Sequence, residues 1–134
     1  MKRTTLILTQ REIARLVDMR LAIRVTRAAF TAMARGDAVM PPKLYLPIPG
    51  GNDFRAMPAF LRRPAAAGVK WVNVHPRNRA RGLPTVMAVI IINDPATGFP
   101  LAVMDGLRNE VDRVRRERGV RELDVHDDDH SALG

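Results

Sequence analysis

The sequence predicts an α+β domain, in which two N-terminal helices and a C-terminal helix pack on a mixed, mostly antiparallel sheet. Three observations predict this class. Apolar residues recur at helical spacing near the N-terminus and again after residue 106. Between these segments, short runs alternate apolar and polar residues and are separated by turns rich in Pro and Gly. The length of 134 residues fits a single domain with one modest core.

The two N-terminal helices are predicted from their caps. A short strand over Thr5 to Leu8 comes first, and Thr9 with Glu12 then forms the Thr-x-x-Glu capping box of a helix. Asp18 is a plausible N-cap for a second helix, and Gly36 is placed to end it as the C′ residue. We therefore expect two consecutive helices before residue 37, with their arginines mostly facing solvent.

The sheet is predicted from five apolar runs that lie between turn compositions such as Pro49-Gly50-Gly51. The most apolar run, TVMAVIIIN, is β-branched, so we expect it to be a central strand covered on both faces. An arginine-rich loop, His75 to Gly82, precedes it and is expected to order the two strands that it joins. The predicted strands cover residues 43–47, 54–61, 67–74, 85–93 and 99–104.

The C-terminal part has a different pattern. From Leu107 a narrow apolar stripe runs along a highly charged helix, and a short strand could follow at 121–125. We assign residues 1–125 to a single domain, with 1–106 as its N-terminal half and 107–125 as a returning helix and tail. The segment His126-Asp127-Asp128-Asp129-His130 could bind a divalent metal weakly, but a terminal segment of this kind is more often flexible. We therefore assign 126–134 to a flexible tail and predict no metal site.

Composition narrows the classes of function. The net charge of +8 comes from 19 arginines and three lysines, which permits contact with a polyanion or with a small carboxylate or phosphate. The arginines are spread along the chain and aromatic residues make up only 4%, so a nucleic-acid-binding domain is the weaker alternative. The absence of cysteine excludes disulfides, thiolate metal sites and cysteine nucleophiles. No apolar run is long enough for an export signal or a membrane span, so we expect a cytoplasmic protein.

Three cations stand in strand-like segments: Lys43, Arg55 and Lys70. A lysine in an apolar strand is costly to bury without a partner, so either Lys70 points to solvent with Trp71 inward or it serves a site. In an antiparallel sheet the three side chains could converge on one face, where an anion would relieve their repulsion. A carboxylate fits best, because a guanidinium can hold both of its oxygens. The alternative is that each cation is exposed by itself.

Four segments stand out by their order and spacing: VMPPKLYLP, DFRAMPAFL, GVKWVNVHPRNRARGLPTVMA and IIINDPATGFPLAVMDG. Together they resemble the N-terminal half of the ornithine cyclodeaminase/mu-crystallin family. Known members are NAD(P)-dependent enzymes or binders, including ornithine cyclodeaminases, alanine dehydrogenases, and ketimine and pyrroline carboxylate reductases. The resemblance implies a substrate-binding and dimerisation domain whose sheet packs against that of a second subunit. It runs from about Leu6 to Gly106.

The resemblance also implies a substrate site. Lys70 matches the family lysine that contacts the substrate, and Thr85 matches the threonine beside it. Lys43 and Arg55 resemble the carboxylate-binding pair of the alanine dehydrogenase-like branch. Ornithine cyclodeaminase itself has a glutamate at the place of Arg55. The arginine therefore favours a simple 2-oxo, 2-imino or amino acid over ornithine.

After Met104-Asp105-Gly106 the sequence departs from the family, which continues with a T-x-x-R-T motif and a Rossmann domain that carries a catalytic aspartate. None of these motifs is in the sequence, although VDRVRRERGVRELDV resembles the family's extreme C-terminus. The expectation is a homodimer that binds a small carboxylate or amino acid, has no NAD(P) site or catalytic residue of its own, and is not catalytic alone. The main alternative is that a separate chain supplies the Rossmann domain. A gene remnant without function is a further alternative.

Overall fold

The computed structural model describes residues 4–106, in which seven strands form one sheet and two helices lie between the first and second strands. The first strand and the two helices lie within the first 34 residues, and the remaining strands follow with short connections. The elements are β1 Leu6–Leu8, α1 Gln10–Leu16, α2 Met19–Ala34, β2 Ala38–Val39, β3 Leu44–Ile48, β4 Asn52–Leu61, β5 Ala66–Val74, a 3₁₀ helix Pro76–Arg81, β6 Val86–Asn93 and β7 Pro100–Asp105.

The strand order is β1-β7-β6-β5-β4-β2, and β3 pairs with β4 on the same side as β2. The pair of β1 with β7 is parallel, and the other pairs are antiparallel. The predicted mixed, mostly antiparallel sheet is therefore confirmed. The predicted C-terminal helix and the His/Asp tail lie outside the described residues.

The helix caps lie where the sequence predicts them. The Glu12 carboxylate accepts hydrogen bonds from the backbone N–H and from the hydroxyl of Thr9, both at 2.7 Å. The Asp18 carboxylate accepts from the Leu21 N–H at 2.7 Å. Gly36 follows the cap of α2 with a φ of +73°, the left-handed conformation that glycine adopts without steric cost. Neither described helix is long and apolar enough to cross a membrane.

Three local features differ from the predictions. The two-residue strand β2 pairs with the end of β4 and is too short to leave a sequence pattern. β4 begins at Asn52, because the connection from β3 needs only Pro49-Gly50-Gly51, whose glycines have φ values of +88° and +73°. The segment predicted as a loop at 75–82 contains the 3₁₀ helix Pro76–Arg81.

Much of the apolar surface of the described part of the chain is open. Among residues 4–106, the buried apolar side chains are Val72 and Ala102. β6 lies inside the sheet, as predicted, but Val86 and Val89 are 48% and 42% exposed. The expectation that this strand is covered on both faces is therefore wrong for the described residues, because α1 and α2 leave part of the sheet uncovered.

Candidate functional site

The strand register brings two of the predicted cations together. Arg55 on β4 lies opposite Val72 on β5, and Lys70 lies two residues before Val72. Residues two apart on a strand share a face, so Arg55 and Lys70 are diagonal neighbours, with their Cα atoms about 7–8 Å apart. Both side chains are partly buried.

Lys43 lies at the edge of the same group. It precedes β3, in which Leu44 pairs with Ala56. An extension of this register by one residue sets Lys43 opposite Met57, whose partner on β5 is Lys70. With strands about 4.8 Å apart, the Cα atoms of the two lysines lie about 10 Å from each other. We call the sheet surface formed by Lys43, Arg55 and Lys70 the cationic face.

Lys70 is the most enclosed lysine of this face. Its cross-strand partners are Met57 and Ile90, and Met104 follows in the same row. Trp71 points to the opposite face and is 39% exposed. Trp71 is therefore not buried, so the part of the alternative that places it inward is wrong, and the role of Lys70 stays a prediction. The side chains directly opposite Lys70 on the two adjacent strands, Met57 and Ile90, are apolar.

Arg55 has a partner that the sequence analysis missed. Its Nε donates to Asp53 Oδ1 at 2.7 Å, and its second guanidinium nitrogen donates to Oδ2 at 3.0 Å. The guanidinium carbon also lies 5.1 Å from the centre of the Tyr45 ring. The hydrogen bonds from Arg55 lower the pKa of Asp53, and those to Asp53 raise the pKa of Arg55. The chain thus supplies one of the counter-charges that three cations on a face require.

The signal for Asp53 was present in the sequence. Aspartate and arginine two residues apart in a strand share a face, and Asp-Phe-Arg has this spacing. The predicted strand begins at residue 54, which leaves Asp53 outside the strand and hides the pair.

Thr85 lies apart from the cationic face. It precedes β6, and its carbonyl accepts from the His75 N–H at 2.7 Å. Lys70 pairs with Ile90, five residues further along the strand, so Thr85 and Lys70 are separated by about 16 Å along the strand direction. The register does not bring Thr85 beside Lys70, and its role in substrate binding stays a prediction.

The arginine-rich segment between β5 and β6 is organised by Asn78, which is only 6% exposed. Its side-chain nitrogen donates to the Pro84 carbonyl at 3.0 Å. Its backbone N–H donates to the His75 carbonyl at 3.0 Å, and its carbonyl accepts from the Leu83 N–H at 3.1 Å. Arg77 and the other two arginines of this segment are exposed. These contacts hold the segment in its conformation, and its role in ordering the two strands stays a prediction.

The opposite face of the sheet is aromatic and apolar. Phe54 stacks on Trp71 with ring centres 5.4 Å apart, and His75 meets Phe54 edge-on at 5.6 Å. The Asn73 amide nitrogen lies 3.1 Å from His75 Nδ1. An open groove of about 360 Å³ continues along this side to Val89 and β7. No group of three His, Asp or Glu side chains suited to a metal ion occurs within residues 4–106.

Sequence and structure comparisons agree on one family. Residues 3–112 match the sequence model of the ornithine cyclodeaminase/mu-crystallin family, and the chain belongs to this family. An alanine dehydrogenase from Archaeoglobus fulgidus is 56% identical over 101 residues, which are 75% of this chain and 30% of that protein. The predicted resemblance to the alanine dehydrogenase-like branch is confirmed.

Solved structures of the family superpose on the sheet and helices. An archaeal alanine dehydrogenase dimer with bound NAD aligns with a TM-score of 0.71 at 55% identity and covers 75% of this chain. A Δ1-pyrroline-2-carboxylate reductase from Thermococcus litoralis, in complex with NADH and L-proline, aligns with a TM-score of 0.74 at 34% identity and covers 76%. The chain spans 31% and 32% of these two proteins, so it corresponds to about a third of its relatives.

Proposed function

We propose that this chain is the substrate-binding and dimerisation part of an ornithine cyclodeaminase/mu-crystallin family protein, and that it binds a small 2-oxo or amino acid through the cationic face. The observation that carries the proposal is the diagonal placement of Arg55 and Lys70 on one partly buried sheet face. Lys43 extends the positive charge at the edge of this face. Thr85 is not part of this face, and its role in substrate binding stays a prediction from the family resemblance.

The chemistry of these side chains suits a carboxylate. A guanidinium presents N–H groups in a planar fork that matches two carboxylate oxygens, and an ammonium adds a compact charge with three donors. Met57 and Ile90 beside Lys70 reduce the access of water, so its attraction for an anion is less screened than on an open surface. The relatives support this class of ligand: one is an alanine dehydrogenase, and another was solved with L-proline.

The described residues do not fit a dinucleotide. A Rossmann phosphate site needs a glycine-rich turn between a strand and a helix. In residues 4–106 the parallel pair is β1 with β7, and β1 leads into α1 through Thr9 without a glycine. We therefore propose that these residues bind the acid and provide no NAD(P) site. The alternative, in which a separate chain carries the nucleotide domain, leaves the same carboxylate site and adds a partner.

Dimerisation is the second part of the proposal. The face opposite the cationic face exposes Trp71, Val89 and, at its edge, Ile7, which is 70% exposed. An apolar surface of this kind on a soluble domain usually marks an interface. The archaeal alanine dehydrogenase that superposes on this chain is described as a dimer. We therefore propose a homodimer that covers this face.

Thermal unfolding with and without ligand tests the carboxylate site. Saturating pyruvate or L-alanine is expected to raise the melting temperature, because a ligand that binds only the folded state at 100 times its Kd adds about 2.7 kcal/mol of stability. Arg55→Gln is expected to abolish the shift. Arg24→Gln, on the exposed surface of α2, is the matched control and should retain it. The absence of a shift with every small carboxylate would contradict the proposal.

A further inference from the structure

We infer that Asp53 and Tyr45 are positioning residues, which hold the Arg55 guanidinium in place before a carboxylate binds. The inference rests on the proposed function, because it concerns the same site. It assigns these two residues a role in the affinity of the cationic face, although neither carries a positive charge. The geometry that points to it is the paired hydrogen bond from Arg55 to Asp53 together with the ring of Tyr45 beside the guanidinium.

Asp53 occupies one edge of the guanidinium and leaves another available. Arginine has five N–H donors in one plane. The two donors to Asp53 come from Nε and from one terminal nitrogen, at 2.7 and 3.0 Å. The adjacent edge of the guanidinium carries the N–H groups that Asp53 does not contact. They belong to the other terminal nitrogen and to the remaining N–H of the terminal nitrogen that donates to Asp53, and they form the same kind of fork. A ligand carboxylate can therefore bind Arg55 without displacing Asp53.

Tyr45 restricts the guanidinium from a second direction. It pairs with Arg55 across β3 and β4, so both side chains leave the same sheet face. The guanidinium carbon lies 5.1 Å from the centre of its ring, within the range of a cation–π contact. An unrestrained arginine loses rotamer freedom when it binds a ligand, and this loss weakens the affinity. Asp53 and Tyr45 impose much of that order in the absence of a ligand.

This role can be distinguished from a simple effect of charge. Asp53→Asn raises the net charge of the cationic face by one, so Coulomb attraction alone predicts tighter binding of an anion. A positioning role predicts weaker binding. The side-chain amide of asparagine has one acceptor oxygen where the Asp53 carboxylate has two, so it cannot hold the Arg55 guanidinium through both hydrogen bonds. The two explanations therefore predict opposite signs for the same substitution.

The test is a calorimetric titration of the full chain with pyruvate. We expect Asp53→Asn to weaken binding about tenfold, the usual size for loss of a hydrogen bond to a charged group. Tyr45→Leu should also weaken it severalfold, whereas Tyr45→Phe keeps the ring and should bind like the wild type. The Nε–H resonance of Arg55 in ¹⁵N NMR should be slow to exchange in the ligand-free wild type and lose this protection in Asp53→Asn. If Tyr45 only stabilised the fold, Tyr45→Phe and Tyr45→Leu would bind pyruvate equally well once the affinities are compared at the same folded fraction. A positioning role predicts that the two affinities differ.

The outcomes separate this inference from the proposed function. If the wild type binds pyruvate through Arg55 and Asp53→Asn binds equally or more tightly, the positioning inference is wrong and the proposed site stands. Should Asp53→Asn fail to fold, Tyr45→Leu decides in its place, and unchanged affinity in that variant overturns the inference. If the wild type binds no small carboxylate, both the inference and the proposed function are overturned.

Discussion

A single carboxylate, Asp53, sets the charge balance of the cationic face. Arg55 and Lys70 share one side of the sheet, Lys43 directly precedes the strand β3 beside them, and like charges at such separations repel unless anions lie among them. Asp53 pairs with Arg55 and relieves part of this repulsion. The face keeps a positive net charge, which the proposed ligand would reduce further. The same pair also makes the stability of the chain depend on pH.

We expect Asp53→Asn to reveal this dependence. The pKa of Asp53 is lower in the folded chain than its ordinary value of 3.8, because the carboxylate accepts hydrogen bonds from Arg55. The ionised carboxylate therefore stabilises the fold fully above about pH 5, and this contribution is lost as the pH falls through the folded pKa. The melting temperature of the wild type should exceed that of Asp53→Asn at neutral pH and converge with it in acid. A difference that grows in acid would contradict this assignment.

The residues of the site differ in how far the sequence could predict them. Lys70 could be singled out because an ammonium in an apolar strand is costly to bury. The antiparallel sheet predicted from the sequence also allows Arg55 to share a face with Lys70. Asp53 was missed because its strand begins two residues earlier than the pattern indicates. The separation of Thr85 from Lys70 depends on the register between β5 and β6, which neither spacing nor resemblance specifies.

At the scale of elements, local chemistry determined what was predictable. Helix ends depend on side chains three residues apart, so Asp18 and the capping box of Thr9 with Glu12 could be found without knowledge of tertiary structure. Long strands leave a pattern, whereas β2 has only two residues and forms because it pairs with the end of β4. The 3₁₀ helix before β6 depends on one buried side chain, Asn78, and burial is not visible in a polar, arginine-rich segment.

The substitution Asn78→Ala is expected to destabilise the chain by about 1–3 kcal/mol, because it leaves the Pro84 carbonyl without its side-chain donor. Asn52→Ala is the matched control. Asn52 makes an equivalent bond to the Pro49 carbonyl, but this bond is exposed, so water can replace the lost donor and the effect should be a few tenths of a kcal/mol. Urea unfolding measures both free energies. Equal effects of the two substitutions would show that Asn78 does not organise the segment.

At the scale of the whole molecule, the sheet has two unlike faces. One face carries the three cations with Asp53, and the other carries Phe54, Trp71 and His75 with an apolar groove. The period of two residues along each strand separates these side chains into the two faces. One sheet can therefore present a ligand site on one side and a subunit interface on the other.

Light scattering is expected to give twice the chain mass for the wild type. Val89→Glu places a charge on the proposed interface, which should weaken dimerisation by roughly 3 kcal/mol or more, because the carboxylate would be buried without a partner. Val86→Glu is the matched control: Val86 lies on the same strand and is 48% exposed against 42% for Val89, but its side chain is on the side of the sheet that carries Lys70. A monomeric wild type, or equal loss of the dimer in both variants, would contradict the interface.

A double-mutant cycle in pyruvate affinity tests whether Arg55 and Lys70 hold the same carboxylate. Calorimetry measures the affinity of the wild type, Arg55→Gln, Lys70→Gln and the double variant. If both cations hold the same carboxylate, each single substitution should weaken binding at least tenfold, and the double variant should lose less than the sum of the two free-energy effects. Wild-type affinity in the double variant would contradict the assignment of the site to the cationic face.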